Sequence, residues 1–205
     1  MNVNSCLLAC IILATVISCA PQRKLAPPFT RSPAQCIEDL ATQNIAFTII
    51  PEDQQKHCVI QNQIQLDRSL FEYTGTGSVK GQCEFISALA RWEQEVVAPA
   101  AAKHLGTPVI KIRELSNFSC RNIARTEFRS QHSYGNAIDV SGFYLADGRY
   151  IDVEGAWGSD TDADDFLHAV RHGSCKIFAT TLSPDYNWDH RNHFHFDVGG
   201  YLSCD

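Results

Sequence analysis

Of the nine cysteines in this 205-residue chain, the six that follow the N-terminal apolar stretch constrain the fold more than any other feature, and each lies at least 22 residues from the next. Such wide spacing offers no CxxC pair of the kind that zinc sites use. In an exported chain, an even set of cysteines predicts disulfide bonds. The sequence leaves their pairing open, and we expect pairing in order along the chain: Cys36–Cys58, Cys83–Cys120 and Cys175–Cys204.

The N-terminus predicts export. Residues 6–19 form an uncharged apolar stretch, shorter than the ~20 residues that a membrane-spanning helix needs, so residues 1–18 are interpreted as a signal peptide. The end of this stretch, VISC, resembles a bacterial lipobox, in which the cysteine becomes the lipidated N-terminus. The alternative is an ordinary secretory signal cleaved near Ala20. The lipobox predicts a protein anchored through a lipid on Cys19 at the periplasmic or outer face of a bacterial envelope.

The rest of the chain divides into a tether and one domain. Residues 19–33 are rich in proline, which suits a tether, and residues 34–205 are long enough for one domain, expected to be monomeric. The formal net charge is −6, and the sequence has no run of lysine or arginine. Since binding the phosphate backbone needs clustered cations, a nucleic-acid partner is not expected.

The spacing of apolar residues predicts an α+β domain, with helices packed against a small, mostly antiparallel sheet. The main amphipathic helix is expected over residues 82–105, with a kink at Pro99 and an end at Gly106. Further helices are expected over residues 36–45 and from the capping residues 159–161 to Gly173. Strands are expected at residues 47–50, 59–66, 109–112 and 193–198, and on both sides of the Asp147-Gly148 turn within residues 137–153.

The final predicted strand carries the first chemical signal. His193, His195 and Asp197 alternate with apolar residues, so a strand would present both imidazoles and the carboxylate on one face. Same-face neighbours on a strand are ~6.6 Å apart, which is close enough for two histidines to meet one metal ion or its bound water. The pattern therefore predicts a site on the face opposite the core.

A second motif supplies further donors. Asp139 lies between Ile138 and Val140, so a strand there would turn the carboxylate away from the aliphatic pair. His132 precedes it in a loop. His132, Asp139 and His195 together make two imidazoles and one carboxylate, the ligand set of a catalytic zinc site that leaves a fourth position for water.

The segments SQHSYGNAIDVSGF and WDHRNHFHFD closely resemble the bacterial extensin-like C-terminal domain family, and the resemblance extends from about Cys36 to Cys204. The two motifs are also similar to those of the lysostaphin, D-alanyl-D-alanine peptidase and hedgehog superfamily of zinc folds. Murein endopeptidases of the penicillin-insensitive kind are the most similar members. This resemblance implies a hedgehog/D-Ala-D-Ala-peptidase-like zinc fold, with Zn²⁺ ligands at His132, Asp139 and His195.

The resemblance also implies catalytic residues. His193 would lie beside the metal-bound water as general base or transition-state stabiliser, and His190 matches a murein endopeptidase histidine. Asn192 occupies the position at which D-alanyl-D-alanine peptidases have a glutamate, so a histidine base is expected instead. Arg121 resembles the arginine that contacts the substrate carbonyl in the superfamily. The alternative for Arg121 is a solvated or salt-bridged side chain.

These features predict zinc-dependent hydrolysis of amide bonds in peptidoglycan stem or cross-link peptides, by a metallopeptidase of the murein endopeptidase or carboxypeptidase type. The alternative is a catalytically inactive, zinc-containing cell-wall binding module of the same fold. Trp157 and Trp188 flank the two motifs and are interpreted either as groove-lining or as core residues. No role is predicted for the remaining histidines: His57, His104, His168 and His172.

Overall fold

A computed structural model describes residues 32–75 and 77–205. The predicted signal peptide, Cys19 and the tether up to residue 31 lie outside the described residues. Ser32 caps the first helix, α1 (Pro33–Thr42), which begins earlier than the expected residue 36 because the Ser32 hydroxyl and the Gln35 side chain form a capping box. In the described part of the chain, no helix combines the length and the apolarity needed to cross a membrane.

The helix predicted over residues 82–105 is present but changes its geometry midway. It consists of α2 (Cys83–Trp92), a π-helical segment (Glu93–Val97) and α3 (Ala98–His104). Pro99 falls in the first turn of α3, where its missing N–H is tolerated. The irregularity is therefore a π-helical turn before Pro99. The other helices are α4 (Val153–Ala156), which was not predicted, and α5 (Asp162–Ser174).

The described residues also form twelve strands. They are β1 (Phe47–Ile49), β2 (Gln54–Gln55), β3 (Cys58–Val59), β4 (Gln63–Leu66), β5 (Glu72–Tyr73), β6 (Lys80–Gln82), β7 (Val109–Ser116), β8 (Ala137–Leu145), β9 (Tyr150–Asp152), β10 (Thr180–Leu182), β11 (Phe194–Asp197) and β12 (Ser203–Cys204), of which β7 and β8 are the longest. The predicted hairpin around Asp147-Gly148 corresponds to β8 and β9, and the predicted final strand to β11.

The strands form one large sheet and two small ones. The large sheet has the order β12-β10-β11-β8-β7-β5, with β9 also paired to β8, and β1-β4-β6 and β2-β3 form the small sheets. The pairs β5–β7 and β10–β12 are parallel, and the pairs that involve β11, β8 and β9 are antiparallel. The predicted α+β class is confirmed.

The core lies between the large sheet and the helices. The predicted apolar stripe of the main helix is buried, and the Trp92 ring lies 5.3 Å from that of Phe196 on β11. The Trp92 indole N–H donates to Ser174 Oγ at 2.8 Å, which joins the main helix to α5. Because Phe194 and Phe196 face this core, the alternate residues of β11 project from the opposite face of the sheet.

Three disulfides join described residues: Cys36–Cys83, Cys58–Cys120 and Cys175–Cys204. The predicted Cys175–Cys204 bond is confirmed, whereas the in-order pairing of the other four cysteines is wrong. Cys36 meets Cys83 because α1 packs against α2, and Cys58 meets Cys120 because the β2–β3 hairpin contacts the segment after β7. Both bonds depend on tertiary packing rather than on order along the chain.

Candidate metal centre

Two adjacent strands bring Asp139 and His195 together. β8 and β11 pair antiparallel in a register that sets Asp139 directly opposite His195, and both side chains project from the face away from the helices. His195 Nδ1 lies 2.9 Å from Asp139 Oδ1. The aliphatic neighbours Ile138 and Val140 are buried, as the alternation predicts.

A short 3₁₀ helix (Gln131–Tyr134) positions His132. The Ser130 hydroxyl caps this helix by accepting the His132 N–H, and Gly135 ends it with a φ of +65°. A Cβ at Gly135 would lie 2.8 Å from the Ile60 side chain, so glycine is required there for conformation and for space. The chain then enters β8, and His132 Nε2 comes within 3.1 Å of Asp139 Oδ1 and 3.2 Å of His195 Nδ1.

Asn117 orients His132. The main-chain oxygen of Asn117 lies 2.7 Å from His132 Nδ1 and accepts its N–H, so the ring is oriented with Nε2 facing Asp139. The Asn117 side chain donates to the Ala137 carbonyl at 3.0 Å and accepts the Lys80 N–H at 3.3 Å. This buried amide therefore ties β6 to β8 beside the fully buried His132.

Asp197 performs the same function for His195. Its Oδ2 lies 2.9 Å from His195 Nε2, and its Oδ1 accepts the Gly199 N–H at 2.7 Å. Because this carboxylate accepts a hydrogen bond from the Nε2–H, Nδ1 is the ring nitrogen available to bind a metal. The sequence had indicated that Asp197 shares a face with His195, but not that it orients the ring.

The pKa values of Asp139 and His195 are strongly shifted by their surroundings. Burial alone would raise the pKa of Asp139, but hydrogen bonds from His132 and His195 hold it well below its usual value. Burial lowers the pKa of His195, and hydrogen bonds to Asp139 and Asp197 outweigh that effect and raise it to about 9. Asp139 is therefore ionised at neutral pH, as a metal ligand must be.

The donor set fits zinc. One donor atom from each of His132, Asp139 and His195 lies within 4.8 Å of the other two, and zinc bonds to such atoms are ~2.0–2.2 Å long. Two imidazoles and one carboxylate are a common ligand set for zinc that keeps an open position. In a second group, His57, Cys58 and Cys120, the donor atoms also lie within 4.8 Å of one another, but the two sulfur atoms form a disulfide and are not thiolates.

His193 and His190 lie at the edge of this cluster. His193 Nε2 is 3.7 Å from Asp139 Oδ1, and its Nδ1 lies 2.8 Å from the Oδ1 of Asn192. The His190 ring is 5.2 Å from that of His193. Burial lowers the pKa of His193 despite the nearby carboxylate of Asp139, and burial together with His193 lowers the pKa of His190 to about 4. Both rings are thus neutral at pH 7 and able to accept a proton.

Arg121 lies on the other side of Asp139. Its Nη2 atom is 3.4 Å from Asp139 Oδ2, and its side chain remains 45% exposed. Ser133 fixes the backbone, since its hydroxyl donates to the Arg121 carbonyl at 2.6 Å and accepts the Arg121 N–H at 3.0 Å. Arg121 is therefore salt-bridged and also faces solvent beside the cluster.

The two tryptophans differ. The Trp157 ring packs against the His168 ring at a tilt, with the centroids 4.1 Å apart, and its N–H donates to Asp185 Oδ1 at 3.0 Å. Trp188 is 76% exposed, with the Arg191 guanidinium 4.4 Å from its ring. Trp157 is thus a packing residue, whereas Trp188 is open to solvent two residues before His190.

A family model described as Extensin-like protein C-terminus matches residues 34–205. The matched range contains every residue of the cluster described above, together with His193, His190 and Arg121. No curated protein and no solved structure gives a significant match.

Proposed function

This chain belongs to the extensin-like protein C-terminus family, and from that premise and the geometry of its buried cluster we propose that it is a zinc-dependent hydrolase of peptidoglycan peptides. The observation that carries the proposal is the convergence of His132, Asp139 and His195, with donor atoms 2.9–3.2 Å apart. Neutral imidazoles and a guanidinium border this cluster, and a purely structural zinc site has no use for them.

His132, Asp139 and His195 would hold the ion in a hedgehog/D-Ala-D-Ala-peptidase-like arrangement. A zinc ion held there would supply a Lewis acid for the scissile carbonyl and lower the pKa of a bound water toward neutrality. Asn117 and Asp197 keep the two imidazoles in the tautomers that expose Nε2 of His132 and Nδ1 of His195.

His193 is the proposed general acid and base. Its Nε2 lies 3.7 Å from Asp139 Oδ1, beside the cluster but outside the closest donor contacts. Asn192 Oδ1 engages the opposite ring nitrogen, Nδ1, which leaves Nε2 unprotonated on the side of the ring nearer Asp139. The ring can then take a proton and deliver it to the leaving amine.

Arg121 and His190 complete the proposed machinery. A guanidinium at this edge of the cluster stabilises the negative charge that develops on the carbonyl oxygen of the substrate. His190 is close enough to His193 to relay a proton or to contact the substrate. No carboxylate occupies position 192, so the proposal has no glutamate base.

The envelope is the proposed location. The three disulfides of the described residues suit an oxidising compartment outside the cytoplasm. The signal peptide and the lipid on Cys19 remain predictions of the sequence, and together they would hold the domain beside the cell wall.

The test is digestion of purified peptidoglycan followed by mass spectrometry of the muropeptides. We expect new products that differ from the starting muropeptides by hydrolysis of one amide bond. Asp139→Ala should release none, whereas the matched control Asp160→Asn, on an exposed loop, should match the wild type. Binding to peptidoglycan with unchanged muropeptides would contradict catalysis and favour the binding-module alternative.

A further inference from the structure

The Cys58–Cys120 disulfide lies next to the candidate site. It joins β3 to the residue immediately before Arg121, whose guanidinium is 3.4 Å from Asp139 Oδ2. The amide of Cys120 also donates to Gln55 Oε1 at 3.3 Å, so the β2–β3 hairpin supports this segment through a covalent bond and a hydrogen bond. The state of the disulfide therefore acts directly on the backbone that carries Arg121.

The two sulfur atoms differ in access. Cys58 is only 2% exposed, whereas Cys120 is partly exposed. A thiolate from solution therefore has better access to Cys120 than to Cys58. Exchange then expels Cys58 Sγ as the leaving thiolate.

A guanidinium contacts the sulfur that leaves, and an imidazole lies near the sulfur that is attacked. Arg129 Nη1 donates to Cys58 Sγ at 3.1 Å, and His57 Nε2 lies 3.8 Å from Cys120 Sγ. A guanidinium stabilises a neighbouring thiolate, and a better stabilised thiolate leaves faster. The local environment thus favours opening of this bond.

The other disulfides differ in these respects. Cys36 and Cys83 are both buried, so a thiolate in solution has no access to either sulfur. Cys175–Cys204 is more open but joins the end of α5 to β12, and neither element carries a residue of the metal cluster. Among these three disulfides, Cys58–Cys120 is therefore the one whose reduction would affect the candidate metal centre.

We propose that Cys58–Cys120 is a redox modification site, opened by a dithiol reductant, and that its opening releases the segment that carries Arg121. The first reductant thiolate attacks Cys120 Sγ, forming a mixed disulfide and breaking the Cys58–Cys120 bond, whose electron pair remains on Cys58 Sγ. The second thiolate of the reductant then attacks the other reductant sulfur, which is bonded to Cys120 Sγ in the mixed disulfide. It expels the Cys120 thiolate, which takes up a proton, and the reductant leaves as a disulfide.

The rate of opening tests the chemical part of the proposal. Purified full-length protein is exposed to dithiothreitol, and the new thiols at each cysteine are alkylated and quantified by mass spectrometry over time. We expect Arg129→Met to slow opening of Cys58–Cys120 by about threefold or more, and Arg129→Lys to restore the rate. The rate at Cys175–Cys204 should be the same in all three proteins. The proposal would be overturned if Cys58–Cys120 opened at equal rates in the wild type and in Arg129→Met. It would also be overturned if Cys36–Cys83 opened before Cys58–Cys120.

The structural consequence is tested without reductant, in Cys58→Ser/Cys120→Ser, with Cys175→Ser/Cys204→Ser as the matched control. Amide hydrogen exchange over residues 120–129 should be faster in the first variant and unchanged in the control, and unchanged exchange in both would overturn the coupling. The effect on catalysis rests on the proposed function: muropeptide release should fall by about tenfold or more in the first variant alone, with zinc content retained. If the wild type releases no muropeptides, the proposed function fails, and the exchange rates still decide this proposal.

Discussion

Asp139 and His195 are 56 residues apart in sequence and directly opposite one another on paired strands, with Asp139 Oδ1 2.9 Å from His195 Nδ1. Their separation is thus fixed by the register of β8 and β11. A slip of one residue would turn His195 into the core and bring Phe194 or Phe196 to the site. The packing of Phe196 against Trp92 therefore protects the geometry of the candidate metal centre.

Substitution of His195 and of His193 should have different effects. His195→Ala removes one of three proposed ligands and should largely abolish zinc retention. His193→Ala should keep near-stoichiometric zinc and lose turnover by about 10²- to 10⁴-fold, because it removes only the proposed acid/base. Elemental analysis and muropeptide release are measured on the same preparations.

His172→Ala is the control for this pair, since His172 is an exposed histidine at the end of α5, and it should retain both zinc and activity. Loss of zinc from His193→Ala to the same extent as from His195→Ala would show that the proposed division of roles is wrong. Full activity of His193→Ala would lead to the same conclusion.

Asp197 should tune zinc affinity without being a ligand. Asp197→Asn removes the charge that faces His195 Nε2, and we expect zinc binding about 10- to 100-fold weaker with the fold retained. Competition with a chromophoric chelator measures the dissociation constant, and circular dichroism monitors the fold. Asp160→Asn is the matched control and should bind zinc as the wild type does. An unchanged dissociation constant for Asp197→Asn would show that Asp197 does not strengthen zinc binding through His195.

Zinc affinity should rise with pH. Burial lowers the pKa of His195, but hydrogen bonds to Asp139 and Asp197 outweigh burial and raise this pKa to about 9 in the metal-free protein. Zinc must therefore displace a proton from His195 at pH 7. The affinity should increase about tenfold per pH unit from about pH 7 to about 9 and then level off. Chelator competition across this range measures the slope, and a flat profile would show that His195 is not protonated before zinc binds.

The same proton affects the stability of the metal-free protein. The folded-state pKa lies above the unfolded value of about 6.5, so the stabilising contribution of His195 is complete below that pH. It is lost as the pH rises through about 9. Chemical denaturation of the zinc-free protein should therefore show a lower free energy of unfolding at the alkaline end, and the His195→Ala variant should show a smaller decrease.

Substitution of Cys19 tests the proposed lipid anchor. Cys19→Ser removes the sulfur that would carry the lipid, so the protein should move from the membrane fraction to the soluble fraction of the producing cell. Immunoblotting of fractionated cells measures the distribution. Unchanged fractionation would contradict lipid anchoring and leave the ordinary secretory signal as the better interpretation.

The sequence predicted the elements whose signals are local. The stripe along the main helix, the Asp147-Gly148 hairpin and the alternation around His195 each repeat with the period of their secondary structure, and all three are present. The π-helical segment was not predictable from this period. It is formed where Glu93 turns inward to accept hydrogen bonds from Ser69 and Tyr73.

Features that depend on distant parts of the chain were missed. Cys36 pairs with Cys83, and not with Cys58, because α1 packs against α2, and no local pattern reports that contact. The carbonyl of Asn117 orients His132 through the main chain, which no residue type could have indicated. Asp197 did have a signal, since its position two residues after His195 places both side chains on one face.

The central claim is that His132, Asp139 and His195 bind one zinc ion, and anomalous diffraction at the zinc absorption edge tests it most directly. A crystal of the zinc-loaded protein should show an anomalous peak bonded to His132 Nε2, an Asp139 carboxylate oxygen and His195 Nδ1, at ~2.0–2.2 Å from each. Ligation through His195 Nε2, or a fully loaded crystal with no peak between these three side chains, would contradict the account.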